Sequence, residues 1–328
     1  MSYTLAFEAK HLSKKIKHTD QVFLIGSCFT EHMTDYLNQA GFDTLSNPHG
    51  ILFNPLSVTK SINSYVNGVH KKEEDLFYLN ELWNSWDHHT RFSHIDKATA
   101  LTEMNASIDK AHAFIKKCNW LVITLGSSFQ YHLVESNYPV ANNHRAPGQW
   151  FEKELLSITE IQQALCESLE NVKAINPNIE IIFTISPVRH IRDGVVENNR
   201  SKARLIEVVH NLTNQYAYSH YFPAYELLID VLRDYRFYDI DLVHPNFAAT
   251  NAVWESFKKS CIEPESFELM HHVEQLFRAS RHKSRFPATA AHQNFIEQQI
   301  AEAKQLKEKH PYLKMQFYHS YLLKKKHL

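Results

Sequence analysis

The sequence predicts an α/β protein, a three-layer α/β/α sandwich with a parallel sheet at its centre, on two observations. Short apolar runs at residues 22–25, Trp120–Leu125 and Glu180–Ile185 each stop at a glycine or serine, and the segments between them carry apolar residues at helical spacing. Strands covered on both faces read as continuous apolar runs, and parallel neighbours need a crossover, usually a helix. After Gly26, the residues Phe29, Met33, Tyr36, Leu37 and Ala40 mark one face of a helix that Gly41 stops. Residues 42–46 read as the second strand and 57–67 as a helix. The stretch 68–118, with Trp83, Trp86, Phe92 and Phe114, breaks the alternation and reads as an insertion able to wall a site. Ile158, Ile161, Leu165, Leu169 and Val172 recur as a helix, a further helix is expected over 201–216, and Tyr221 and Phe222 start the last strand. Residues 1–262 then form the main domain. Residues 263–328 form a helical extension packed on it through Phe295, Ile296, Ile300, Ala303 and Leu306, after a loop near 280–291.

Among the 328 residues, 35 basic and 36 acidic side chains nearly cancel, which gives no electrostatic case for nucleic acid or an anionic membrane as partner. Lys324, Lys325 and Lys326 read as a solvated tail. The 4 cysteines (Cys28, Cys118, Cys166, Cys261) lack metal or disulfide spacing and are expected as free thiols. With no apolar run of membrane length and no signal-like N-terminus, the expected location is cytoplasmic. The 22 histidines include a group at Asp87, His88, His89, His94 and Asp96, but its spacing matches no zinc motif, so no metal or other cofactor is expected.

Chemistry enters at Gly26-Ser27-Cys28, where a hydroxyl stands at a strand-to-helix turn beside the free N–H groups of a first helical turn. Serine is also a common helix cap there. A second segment, Asp241-Leu242-Val243-His244-Pro245, places a carboxylate where it can take the Nδ1 proton of the histidine, leaving Nε2 outward as a base. Pro245 suits the first position of the helix that follows. Ser27, Gly50, Ser127, Ser128, Arg189 and His190 all follow expected strands, at the edge where open α/β sheets bind ligands.

These segments resemble the GSCFA family, a mostly bacterial group related to the SGNH/GDSL hydrolases. Gly26-Ser27-Cys28-Phe29-Thr30 matches its naming motif except at Thr30. Asn47-Pro48-His49-Gly50, Thr124-Leu125-Gly126-Ser127-Ser128, Ser186-Pro187-Val188-Arg189-His190, Glu197-Asn198-Asn199-Arg200-Ser201-Lys202-Ala203 and Asp234-Tyr235-Arg236-Phe237-Tyr238 follow in order over about residues 20–260. The resemblance implies a flavodoxin-like fold and ester hydrolysis with Ser27 as nucleophile, His244 as base and Asp241 as its orienter. It implies the N–H groups of Ser27 and Gly50 as oxyanion donors, and Trp86 and His89 as pocket residues. The superfamily's third donor, an asparagine, is missing at Gly126-Ser127-Ser128, which makes Ser127 and Ser128 substitute candidates. Asn142-Asn143-His144-Arg145 departs from the Cys-His-Lys run the family commonly carries there.

The expected partner is a small-molecule or carbohydrate acyl ester. Arg189 and His190 either brace a loop or recognise a carboxylate, phosphate or sugar hydroxyl. Cys28 is a rival nucleophile or a small core residue. An acyltransferase on the same triad and a binding protein without turnover are the alternative functions.

Overall fold

In the computed structural model, which describes residues 5–318, strand β1 (Gln21–Gly26) divides its side chains between two cores. Phe23 and Ile25 enter one, Val22 and Leu24 the other. This period of two explains why no position in the run is polar: both faces of the strand are covered. Helix α1 (Cys28–Gln39) follows, then β2 (Asp43–Ser46) and α2 (Pro55–Asn67). Asn54 starts α2, accepting the Ser57 N–H at 2.9 Å, with Pro55 in the first turn. Next come α3 (Lys97–Ile115), β3 (Trp120–Leu125), α4 (Ile158–Ile175), β4 (Glu180–Ile185), α5 (Val195–Gln215) and β5 (Ser219–Tyr221).

The five strands are all parallel, in the order β5-β4-β3-β1-β2. Helices α2, α3, α4 and α5 cover the face bearing Phe23, while α1 and α6 (Phe247–Cys261) cover the other. Helices α7 (Phe267–Arg281) and α8 (Ala290–Lys309) form the C-terminal part around their own cluster, with Ile296, Ala303 and Leu306 buried and Phe295 and Ile300 packed against them. They dock where Gly41 ends the first βα unit: its carbonyl accepts the Lys314 N–H at 2.9 Å, and Val273 and Leu313 crowd it. Lys324 to Lys326 lie outside the described residues.

Four features differ from expectation. The stretch 68–118 divides into a small hairpin (Phe77–Leu79 with Leu82–Asn84) and α3, whose Ala111, Phe114 and Ile115 belong to the main core. Helix α3 is therefore the crossover between β2 and β3, and the part outside the sandwich is residues 68–96. Strand β5 ends at Tyr221 instead of starting there; an edge strand buries fewer positions, so its apolar signal is faint. Helix α5 begins at Val195, because Gly194 at φ +91° turns the chain into it and its first turn is exposed. A three-stranded antiparallel sheet of Phe129–Leu133, Pro139–Val140 and Phe151–Leu155, absent from the sequence reading, stands beside β3.

Candidate active site

The strand order reverses between β1 and β3, and the crevice beyond the carboxyl ends of such strands is where this architecture binds ligands. Gly26 lies at φ +139°, and a Cβ there would stand 2.0 Å from the Thr124 carbonyl oxygen, so only glycine lets β1 close on β3 at this point. Ser27 follows, fully buried. It occupies the N-cap position of α1, yet its side chain makes no capping hydrogen bond and its Oγ has no partner at all. The hydroxyl does none of the work a structural cap would do.

At the same edge, the Asp241 carboxylate accepts the Val243 N–H at 2.9 Å, the His244 N–H at 3.0 Å and His244 Nδ1 at 2.6 Å. The backbone N–H of His244, its imidazole and the Val243 N–H hold the carboxyl down at about 2. This leaves Nε2 of a half-exposed ring as the free nitrogen. Helix α6 begins at Phe247 and not at Pro245; Asn246 caps it, accepting the Ala249 N–H at 3.2 Å and donating to Arg236 O at 2.7 Å. Tyr36 of α1 stacks on Trp254 of α6 at 5.3 Å. Each lies about two turns below the start of its helix, so the two helices descend side by side and Ser27 and His244 stand at neighbouring entrances. In this structure the Ser27 hydroxyl and the His244 ring are not hydrogen-bonded to each other.

Beneath the crevice, Lys202 is 1% exposed and donates to Gly126 O at 2.6 Å and Ser186 O at 2.7 Å, the carbonyls just past β3 and β4. Burial pulls the ammonium down to about 7, and the Cys28 thiol within its range pushes the other way. The thiol is itself raised, mainly by burial, so it is not the low-pKa thiolate of a cysteine nucleophile. Asn47 accepts the Gly26 N–H on Oδ1 at 2.8 Å, which fixes the orientation of its amide. Its Nδ2, on a fully buried side chain bonded to the residue before Ser27, has no partner. Sequence reasoning missed both residues. Each lay in a run matched to the family, but a lysine on a helix reads as a solvated face and an asparagine before a proline as a turn.

Several expected roles are corrected. The Ser27 N–H donates to Thr124 O at 3.1 Å and the Gly50 N–H to Asn47 O at 2.7 Å, so neither amide is free for an oxyanion. What Gly50 supplies is room: at φ +86°, a Cβ would stand 2.1 Å from that of His89. Ser128 donates to Ser201 O at 2.9 Å and Ser127 lies 3.3 Å from Ser201 Oγ, so both tie β3 to α5. His89 Nδ1 accepts the Arg91 N–H at 3.3 Å, and burial followed by the Arg91 charge lowers its pKa. The Arg189 guanidinium lies over Tyr238 at 5.0 Å and the backbone N–H of Arg189 reaches Val243 O at 3.4 Å, which braces the loop carrying His244. His190 is driven down to about 4 by burial and then by Lys202, with His244, Asp193 and Lys153 also in range. Asp87 pairs with Lys60 and Lys71, and His88 stacks on His49 at 3.9 Å. Among the described residues, no group of three or more His, Cys, Asp or Glu could hold a metal ion, and no helix is long and apolar enough to cross a membrane.

A cleft of about 650 Å3 opens between the antiparallel sheet and the loop after β4, lined by Ser127, His190 and the turn at residues 142–146. Trp86 is not in its lining; it stacks on Phe77 at 3.7 Å.

A model of the GSCFA family matches residues 21–257, and one described as GSCFA domain protein, C-terminal domain, matches residues 273–325. No curated protein matches the chain. Among solved structures, it is similar to a Clostridium thermocellum family 3 carbohydrate esterase at 9% identity and a TM-score of 0.37, over 79% of this chain and 100% of that one. It is also similar to an acetyl xylan esterase from the rumen bacterium Butyrivibrio proteoclasticus at 11% identity and a TM-score of 0.36, over 79% of this chain and 64%, less than two thirds, of that one.

Proposed function

The chain belongs to the GSCFA family, and on that premise we propose that it is a serine hydrolase cleaving an O-acyl ester of a carbohydrate or other small molecule. The observation that carries this reading is a division of labour at one sheet edge. Asp241 holds His244 with Nε2 free, while Ser27, at the start of α1, keeps a hydroxyl with no structural partner.

His244 Nε2 takes the Ser27 proton as Oγ attacks the acyl carbonyl, and the charge moves to the carbonyl oxygen. That oxygen is received by the unpartnered Nδ2 of Asn47, with the Lys202 ammonium beneath the crevice adding to the field. The alcohol leaves with the proton from Nε2, and water attacks the acyl-serine by the same steps in reverse. Substrate entry has to bring the Ser27 hydroxyl and the His244 ring within hydrogen-bond reach, because they are not bonded beforehand.

Treatment with a fluorophosphonate, with the adduct mapped by mass spectrometry, tests this. An adduct on Ser27 that disappears in His244→Ala is expected. No adduct, under conditions that label a known serine esterase, would leave a binding protein that keeps the fold without turnover.

A further inference from the structure

The turn at Asn142-Asn143-His144-Arg145, which departs from the family pattern, has no part in the reaction just described, yet it builds one wall of the large cleft. His144 and Arg145 are consecutive non-glycine residues at φ +49° and +57°. Such positions are strained for residues that carry a Cβ. His144 donates from Nε2 to Ser85 O at 2.8 Å, which leaves Nδ1 of this 5% exposed side chain as an acceptor without a partner.

The opposite wall is the loop after β4 with Arg192 and Asp193, and Lys153 reaches in from the antiparallel sheet. Three cations, Arg145, Lys153 and Arg192, thus face one carboxylate, Asp193. That carboxylate is already paired with Lys153, which also lies over the Phe129 ring at 3.9 Å. The guanidinium groups of Arg145 and Arg192 have no acidic partner among the described residues. His190 lines the cleft and is also within electrostatic range of Lys202 and His244, so the cleft adjoins the reacting edge.

We propose that this cleft binds an anionic group, a carboxylate or a phosphate, carried by the substrate of the hydrolytic site. Two unpaired guanidinium groups on facing walls match the planar, two-oxygen face of either anion. Asn142, Asn143 and Tyr131 give the rest of the lining the mixed polar and aromatic character that suits a small polar body. Describing the ligand as substrate rests on the hydrolase reading; the binding does not.

Calorimetric titration at low salt with glucuronate, glucose 6-phosphate and glucose separates the possibilities. At least one of the two anions is expected to bind about tenfold or more tighter than glucose, and which one does so distinguishes carboxylate from phosphate. In R145Q/R192Q, two exposed positions, the preferred anion is expected to fall to the level of glucose. Anions that bind the unmodified protein no tighter than glucose overturn the proposal, as does a preference that survives in the double variant. Labelling of Ser27 without anion preference removes the cleft assignment alone. Anion preference without labelling keeps the cleft and removes the hydrolase.

Discussion

The floor of the site and its rim are built in opposite ways. The floor, Gly26, Ser27, Asn47, Ser128 and Lys202, is almost wholly buried and is held by contacts between residues up to about a hundred positions apart. The rim, Asp241 to His244, is half-exposed and bonded within itself. A substitution in the floor therefore tests fold and chemistry together, except at the unpartnered Ser27 hydroxyl, whereas one of the rim side chains tests chemistry alone.

The largest effect is common to the two regions, because the reaction needs one residue from each. Ser27→Ala and His244→Ala are each expected to lower kcat/KM on an activated aryl ester by about 10⁶-fold. Neither should lower the melting temperature, since His244 is exposed and Ser27 loses only an unpaired buried hydroxyl. A fall of several degrees in Ser27→Ala would mean that the hydroxyl has a structural role after all.

Lys202→Met, which removes a floor charge at similar volume, is expected to cost about 10²–10³-fold in kcat with a smaller change in KM. Equal changes in both would identify a purely structural lysine. Gly26→Ala should lower the unfolding free energy by about 3 kcal/mol, read by denaturant titration, because its Cβ has no space and its φ is reserved for glycine.

The buried histidines give the protein a pH signature. Burial first lowers His18 to about 4 and His49 to about 3, and His190 to about 4, so the folded state keeps them neutral. The unfolded chain takes up protons below about 6.5. Between there and the folded values the unfolded state binds more protons, so stability is full above about 6.5 and is lost as the pH falls through this window. A loss on the order of a few kcal/mol between pH 7.5 and 5 is expected, and a flat profile would show that these rings are solvated. The smallest effect is expected for Cys28→Ala, within about threefold in rate, because burial keeps the thiol protonated. A loss comparable to that in Ser27→Ala would move the nucleophile to Cys28.

The same contrast governs what could be read from the sequence. β3 and β4 coincide with the apolar runs at Trp120–Leu125 and Glu180–Ile185, because burial on both faces writes itself into every position. The Asp241 and His244 pairing was legible because it is local. Ser127 and Ser128 were expected to face a substrate; their partner Ser201 is 73 and more residues away, and sequence spacing carries no trace of it. Asn47 and Lys202 escaped for the same reason, since their polar contacts run to Gly26, Gly126 and Ser186. The small antiparallel sheet is too short and too exposed to show a period.

The strand order also bears on how the chain is made. β1 lies in the middle of the sheet, between β2 and β3, but of these five strands it is made first. Its β3 edge stays unsatisfied until residues 120–125 emerge. At roughly 5–20 residues per second, that is a delay of about 5–20 s. Ser27 waits about twice as long for His244. A truncated nascent chain therefore displays an aggregation-prone central strand, so premature release yields a client for chaperones.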